Sequence, residues 1–207
     1  MKRYFNMSFK GIEFAVFFAL LCAVTMSMAH FSAACDDLRT NVLRMHIVAN
    51  SDSQEDQRLK LMVRDKILEQ SGAVFSNSTD LDSAIISASE SISEFEKIAN
   101  EVIKENGFNY TAEVEIGNSY FENRVYDDFT LPAGTYKSLI VRLGKAEGKN
   151  WWCVVFPSVC IPAAGKGELS DSASKESASI AEEPQKYIMQ FKAVEIYEDL
   201  KKLIKGK

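Results

Sequence analysis

Residues 43–64 constrain the fold of this chain most, because they read as a strand that leads through a polar turn into a helix. Within residues 43–49, apolar positions alternate with Arg44, His46 and Val48, which is the two-residue period of a strand with one buried face. The four residues that follow are polar and are suited to end a strand and to cap a helix. Such a junction is a common place for a binding site, and it is equally common as a plain structural turn.

The start of the helix carries two overlapping capping patterns. Asp52 with Glu55, and Ser53 with Asp56, each fit or approximate a capping box. Apolar residues of the following turns form two strips on opposite sides of the helix. A helix of this kind is usually covered on both sides, here by the sheet and by a neighbouring helix.

The first 35 residues are expected to direct the chain out of the cytoplasm. Three basic residues precede an uncharged apolar run over residues 14–29, and small residues ending at Ala29 and Ala34 offer cleavage sites. This pattern predicts a cleavable signal peptide. The alternatives are an uncleaved membrane anchor and a lipoprotein-like cleavage before Cys35. All three place the body of the chain outside the cytoplasm, with membrane contact through the N-terminal segment before any cleavage.

Downstream, the apolar pattern predicts a further helix and four strands. They are a long core helix over residues 81–103 and strands over residues 110–116, 120–126, 136–143 and 151–156, with a hairpin turn at Gly117-Asn118. The last strand is apolar on both faces, which is typical of a central strand. The element order predicts an α/β sandwich in which two helices pack on a mostly antiparallel sheet of about five strands.

Composition divides the chain into four predicted segments. They are a signal peptide or anchor over residues 1–35, an extracytoplasmic domain over residues 36–162, a flexible Ser/Ala/Glu-rich linker over residues 163–185 and an amphipathic helix over residues 186–207. The apolar stripe of the last helix follows Met189, Ile196, Leu200 and Leu203. This stripe either docks back onto the domain or is offered to a partner or a membrane surface.

Net charge and cysteine spacing narrow the classes of function. The formal net charge of -5, without a basic run in the body of the chain, argues against nucleic-acid binding. Cys153 and Cys160 are predicted to form a disulfide in an oxidising compartment, with two free thiols as the alternative. Zinc is disfavoured, because His46 is the one further candidate ligand, and no cofactor or other metal is predicted.

None of the common catalytic motifs is present in the sequence, which has no Gly-x-Ser-x-Gly elbow, His-Glu-x-x-His or Walker loop. The one conceivable nucleophilic pair is Cys153 with His46, which would make the chain a secreted hydrolase.

Trp151 and Trp152 place one indole on each face of their strand, and an exposed indole is a candidate partner contact. A cell-wall or ligand-binding module would need exposed Trp and Tyr residues that form a groove. The residues alone favour binding or signalling over catalysis.

Three blocks of sequence closely resemble the stage II sporulation protein R family of endospore-forming Firmicutes. The blocks are LRMHIVANSD at 43–52 with Asp56, Gln57, Lys60, Arg64 and Asp65, then PAGTY at 132–136, then NWWCVVFP at 150–157 with Cys160. Departures from the family pattern include Ile47-Val48, Ser158-Val159, Ile140 in place of Arg and Ala146 in place of Gly. The contact of residue 140 and the conformation of the 144–150 turn are therefore not carried over.

The resemblance implies a signal that is made in the forespore and exported into the space between the forespore and mother-cell membranes. There it would activate a membrane-bound aspartic protease, which cleaves the pro-form of the early mother-cell sigma factor. The family is not known for catalysis, in agreement with the lack of catalytic motifs. The residues predicted to contact this partner, or to support the contacts, are Arg44, His46, Asn50, Asp52, Gln57, Lys60, Arg64, Trp151 and Trp152.

Overall fold

The computed structural model describes residues 9–126, 129–159 and 169–205. This part of the chain begins with a helix and a strand, continues with three helices and then five strands, and ends with two helices. Short 3-10 turns lie at Leu169–Asp171 and Pro184–Lys186. The elements are α1 (Phe9–Asn41), β1 (Leu43–Val48), α2 (Gln54–Phe75), α3 (Leu81–Glu90), α4 (Ile92–Glu105), β2 (Ala112–Phe121), β3 (Arg124–Val125), β4 (Thr130–Leu131), β5 (Gly134–Leu143), β6 (Asn150–Phe156), α5 (Lys175–Glu182) and α6 (Ile188–Lys205).

A mixed four-stranded sheet forms the centre of the fold, in the order β2-β5-β1-β6. β1 runs parallel to β5 and antiparallel to β6, while β2 is antiparallel to β5. The parallel pair is joined by a long crossover that contains α2, α3 and α4. β3 and β4 form a separate small hairpin. The predicted α/β fold, with helices packed on a mostly antiparallel sheet, is confirmed.

Helices α2, α3 and α4 cover one face of the sheet, called the inner face here. Met45 and Ile47 of β1 are buried in one core with Val63 and Ile67 of α2 and Phe95 of α4. Each such side chain stabilises the fold by about 1.5–3 kcal/mol when it leaves water. The alternation predicted for β1 is confirmed on this face.

The opposite, outer face of the sheet is covered in part by the end of α1, the β3–β4 hairpin and α5. Leu38 of α1 and Val42, which follows that helix, lie in a second buried cluster with Leu131 of β4, Val154 of β6 and Ala178 of α5. Both faces of the sheet are therefore packed near β6.

β6 lies at the end of the four-stranded order, although its sequence predicts a central strand. Its neighbouring residues Val154 and Val155 are both buried but belong to different clusters, Val155 on the inner face and Val154 on the outer face. The strand is apolar on both sides because helices and the end of α1 cover both faces. A strand between two others would have the same pattern, so the sequence does not separate the two cases.

β2 is one continuous strand of ten residues, and the predicted hairpin turn at Gly117-Asn118 is wrong. Both residues pair in register, with Ser138 and Lys137 of β5. A Cβ at Gly117 would lie 3.0 Å from Cδ1 of Ile140. The glycine makes room for this neighbouring side chain and does not form a turn.

The long helix predicted over residues 81–103 consists of two helices, α3 and α4, which are separated at Ser91. A reciprocal capping box between Asp80 and Ser83 begins α3. Both helices contribute their apolar residues to the inner core, as the stripe predicts.

Part of the predicted flexible linker is ordered, since α5 lies within residues 163–185. Ala178, Ile180 and Ala181 of α5 are buried, and the backbone N–H of Ser174 donates to Asp37 Oδ2 of α1 at 2.9 Å. Small side chains allow α5 to approach α1 closely, so a Ser/Ala-rich composition serves packing here. The prediction of flexibility is wrong for α5, while residues 163–168 lie outside the described residues.

α1 passes the predicted segment boundary at residue 35 without a break. Cys35 and Leu38 are buried in the folded part, so a lipid on the Cys35 thiol would have no room in this packing. The helix is long and apolar enough to cross a membrane, and a signal sequence has the same character.

α6 docks onto α1 through the side that bears Phe191 and Val194, which join Phe31 and Ile180 in a third buried cluster. The predicted apolar stripe from Met189 to Leu203 faces away from the domain and is exposed. The helix therefore combines a docked side with an unoccupied apolar side.

Candidate functional site

The nine predicted partner residues lie in three places. Four form a polar network between the end of β1, the start of α2 and the 144–150 turn. Three lie on the outer face of the sheet or beneath it. The remaining two lie where α2 passes β6 on the inner face.

Asp56 is the centre of the polar network and is 5% exposed. Its Oδ2 accepts hydrogen bonds from Asn50 Nδ2 at 2.9 Å and from the Ser51 hydroxyl, and its Oδ1 accepts from the Tyr110 hydroxyl at 2.6 Å. Its own backbone N–H donates to Ser53 Oγ at 3.1 Å, which makes Ser53 the N-cap of α2. The strand, the helix start and Tyr110 are thus joined through one carboxylate.

The pKa of Asp56 lies below its ordinary value of 3.8. Burial by itself raises this pKa, but the hydrogen bonds from Ser51, Tyr110 and Asn50 stabilise the charged form and outweigh the burial. Asp56 is therefore a structural carboxylate that stays ionised at neutral pH.

Asn50 and Asp52 hold the 144–150 turn by accepting hydrogen bonds from its backbone. Lys145 N donates to Asn50 Oδ1 at 3.0 Å, and Lys149 N donates to Asp52 Oδ1 at 2.7 Å. A Cβ on Gly148 would lie 2.2 Å from the Ser51 carbonyl oxygen, so the two backbones touch at this glycine. This part of the predicted site fixes a turn.

Ala146, which departs from the family pattern, adopts a φ of 54°. This left-handed conformation favours glycine, since a Cβ crowds the neighbouring carbonyl. The glycine expected from the resemblance would fit the turn without strain.

Lys60 and Gln57 complete the network from α2. Lys60 is buried, and its Nζ donates to Gln57 Oε1 at 2.7 Å and to the Lys149 carbonyl at 2.9 Å. Gln57 Nε2 in turn donates to the Ser51 carbonyl at 2.9 Å. Burial lowers the pKa of Lys60, and the nearby Asp52 carboxylate offsets part of this change. Both side chains are committed to internal bonds.

Arg44 lies beneath the outer surface and is 0% exposed. Its guanidinium carbon lies 3.7 Å from the centroid of the Phe121 ring and 4.8 Å from that of Tyr136, while Nη2 donates to the Tyr126 hydroxyl at 2.7 Å. The aromatic faces offset part of the cost of burying the charge. In this conformation Arg44 supports the outer face from below and does not reach its surface.

The outer-face cluster is defined by His46, Ser119, Arg124, Asn150 and Trp152. The His46 ring stands 6.1 Å from the Trp152 ring, and the Arg124 guanidinium lies 5.0 Å from the same indole. His46 Nε2 is 2.8 Å from Asn150 Oδ1, and Nδ1 is 3.2 Å from Ser119 Oγ. An indole, a cation and an imidazole thus meet at a partly exposed surface.

The neutral form of His46 satisfies both of its contacts. With the proton on Nε2, the ring donates to Asn150 and accepts from the Ser119 hydroxyl. Burial lowers the pKa of His46 below 6.5, the Asn150 bond opposes this, and the charges of Arg142 and Arg44 lower it further. The outer-face cluster therefore contains an uncharged imidazole at neutral pH.

Arg64 and Trp151 form the third place. The Arg64 guanidinium lies 4.9 Å from the Trp151 ring and bonds to the neighbouring carboxylate of Asp65 at 2.7 Å. Trp151 packs against the inner core. Because Trp151 and Trp152 point to opposite faces, the two indoles do not line one groove.

Cys153 and His46 do not come together. Cys153 pairs with Met45 and belongs to the inner core, whereas His46 pairs with Trp152 and points outward. The nucleophile–base pair of the hydrolase alternative is therefore not assembled. The predicted disulfide partner Cys160 lies outside the described residues, so the disulfide stays a prediction. No group of three metal-ligating side chains occurs within the described ranges.

A cleft of about 540 Å³ separates α1 from α6 above the edge of β2. Four of its charged lining groups form ion pairs, Arg39 with Asp36 at 2.7 Å and Lys201 with Glu198 at 3.2 Å. The fifth, Lys202, lies 4.6 Å from the centroid of the Tyr120 ring. The lining therefore carries three positive and two negative side chains, and it holds no cluster of like charges that would mark a ligand site.

Sequence reasoning missed Asp56, Ser119 and Arg124 as parts of these places. Asp56 was visible as a capping residue, but its bond to Tyr110 joins residues 54 positions apart. Ser119 and Arg124 reach His46 and Trp152 only through the pairing of β2 with β5 and the position of the β3–β4 hairpin. No local pattern in the sequence indicates these contacts.

Comparisons with known proteins agree with the resemblance. The family described as stage II sporulation protein R matches residues 39–166. Stage II sporulation protein R of Bacillus subtilis (strain 168) is 31% identical over 137 residues, which cover 66% of this chain and 61% of that relative. The match thus spans less than two thirds of the relative's length. No solved structure matches the chain.

Proposed function

Because the chain belongs to the stage II sporulation protein R family, we propose that it is an exported, non-enzymatic signalling protein of sporulation. Its target would be a membrane-bound aspartic protease in the space between the mother-cell and forespore membranes. Activation of that protease would trigger processing of the pro-form of the early mother-cell sigma factor. The family match over residues 39–166 is the observation that carries this proposal.

The separation of Cys153 from His46 supports a non-enzymatic role. The two side chains lie on opposite faces of the sheet, so a thiol nucleophile and its base do not meet. The buried Lys60 and Asp56 are engaged in bonds that fix the fold. A recognition role requires a defined surface but no catalytic residues, and the outer-face cluster is such a surface.

The outer-face cluster is the surface that we assign to protease recognition. Aromatic and arginine side chains dominate the binding energy of many interfaces. Here Trp152 and Arg124 stack at a partly exposed site, with His46 held in place beside them. Arg44 and Tyr126 brace this site from below.

Co-expression tests the proposal directly. The full chain, the membrane-bound protease and its pro-sigma substrate are produced together in a non-sporulating bacterium, and cleavage of the substrate is followed by immunoblot. Processing should rise well above that of cells without this chain. Equal processing with and without the chain would overturn the proposal.

A further inference from the structure

α1 changes from an exposed to a partly buried helix over about one and a half turns, between residues 26 and 31. Met26, near the end of the apolar run, is 73% exposed, whereas Phe31 is 2% exposed. The helix is unbroken between these residues. An apolar rod over residues 11–29 therefore emerges directly from the folded domain, with no linker between them.

The start of α6 lies beside the point where this rod emerges. The rings of Tyr187 and Phe191 stand 5.7 Å and 5.0 Å from the ring of Phe31. Between them, Ile188 and Met189 point outward and are 61% and 80% exposed. Two large apolar side chains thus project at the base of the apolar rod.

α6 runs in the same direction as α1, away from the rod. Phe191 lies beside Phe31, and seven residues later Glu198 lies 4.0 Å from Arg39. Only the first turn of α6 is therefore level with the end of the rod. Leu203, which is also exposed, lies about 21 Å further along the helix axis than Met189.

We propose that, in the form of the chain that keeps its N-terminal apolar helix, Ile188 and Met189 insert into the bilayer interface beside α1 and seat the domain on the membrane. Residues 11–29 span about 28 Å as a helix, close to the roughly 30 Å hydrocarbon core of a bilayer. The patch formed by Ile188 and Met189 lies at the level where this rod ends, so a bilayer that surrounds the rod reaches the patch as well. The occupant is therefore lipid. This seating is independent of protease activation and goes beyond the proposed function.

The residues around the patch suit the boundary between lipid and water. Tyr187 flanks it, and tyrosine is enriched at membrane interfaces. Lys186 and Lys192 lie on either side with exposed side chains, which pair with Glu183 and Glu195. Their long stems can follow the apolar surface while their charges remain in the headgroup region.

Quenching by brominated lipid tests the seating. The full chain is reconstituted in phosphatidylcholine–phosphatidylglycerol vesicles, with or without bromine at shallow acyl positions, as Met189→Trp or as the control Leu203→Trp. Each new indole adds to the constant emission of Trp151 and Trp152. The added emission of M189W should be blue-shifted and quenched by the brominated lipid, while that of L203W should be unaffected.

Two outcomes would overturn the proposal. M189W emission without any added quenching would show that the first turn of α6 stays in water. Equal quenching of M189W and L203W would show that α6 lies flat on the bilayer, against the direction of the helix seen here. Ile188→Trp repeats the test at the neighbouring exposed position, and circular dichroism confirms that all variants retain the parent fold.

Discussion

At the scale of single residues, Asp56 is a structural residue at the centre of the polar network. Its carboxylate receives three side-chain hydrogen bonds that join β1, α2 and Tyr110. We expect Asp56→Ala to lower the free energy of unfolding by about 2–4 kcal/mol, because buried donors lose their acceptor. Urea unfolding followed by tryptophan fluorescence measures this change.

Glu55→Ala is the matched control, since Glu55 is exposed in the same helical turn. It should change stability by less than about 0.5 kcal/mol. Because the pKa of Asp56 is lower in the folded state than its ordinary value of 3.8, the ionised carboxylate contributes fully to stability above pH 3.8. This contribution is lost as the pH falls through the pKa of the folded state. The difference in the free energy of unfolding between wild type and D56A should therefore become smaller in strong acid. A gap that is constant from neutral to strongly acid pH would contradict this role.

His46 should make the stability of the domain depend on pH in the mildly acidic range. Its folded pKa lies below 6.5, so the unfolded chain binds more protons below that value and stability falls as the pH decreases from 7. His46→Gln keeps hydrogen-bonding capacity without this titration, and the loss of stability between pH 7 and pH 5 should be smaller. Thermal unfolding at several pH values checks this, and identical slopes would refute it.

At the scale of elements, the 144–150 turn is set by close backbone approach. Gly148→Ala should cost about 2 kcal/mol or more, because the new Cβ would lie 2.2 Å from the Ser51 carbonyl oxygen. Gly107→Ala is the comparison, since Gly107 has a φ of 79° but open space around it, and should cost about 1 kcal/mol. Equal losses of stability for the two variants in urea unfolding would mean that Gly148 does not lie close to the Ser51 carbonyl.

Ala146 gives the opposite prediction in the same turn. Its φ of 54° is unfavourable for a residue with a Cβ, so Ala146→Gly should raise the free energy of unfolding by about 0.5–1 kcal/mol. A rise in the melting temperature measured by circular dichroism would confirm this. A lower melting temperature would show that the turn adopts another conformation.

Local patterns predicted the elements that depend on their own sequence. The alternation around Met45 and Ile47 identified β1. The two overlapping capping patterns at Asp52 and Ser53 identified the start of α2, and the structure places the cap at Ser53. Gly117 was misread because its close neighbour, Ile140, comes from another strand. α5 was missed because its small residues become apolar core only when α1 lies against them. The errors lie where distant segments decide the structure.

At the scale of the whole molecule, the candidate site was predicted in part. The sequence indicated the polar junction after β1. The structure shows that Asn50, Asp52 and Lys60 form hydrogen bonds to the backbone of the 144–150 turn. Their spacing could not reveal this, because the turn they hold is about one hundred residues away. The outer-face cluster, to which we assign recognition in our proposal, is brought together by the sheet and the β3–β4 hairpin.

The central claim is that this chain acts by recognition through the outer-face cluster. Arg124→Glu reverses the exposed charge over Trp152, and Arg58→Glu makes the same change of charge on an exposed position of α2. In the co-expression assay, at equal protein levels, R124E should abolish most processing of the pro-sigma substrate while R58E retains it. Equal processing with the two variants would contradict the claim.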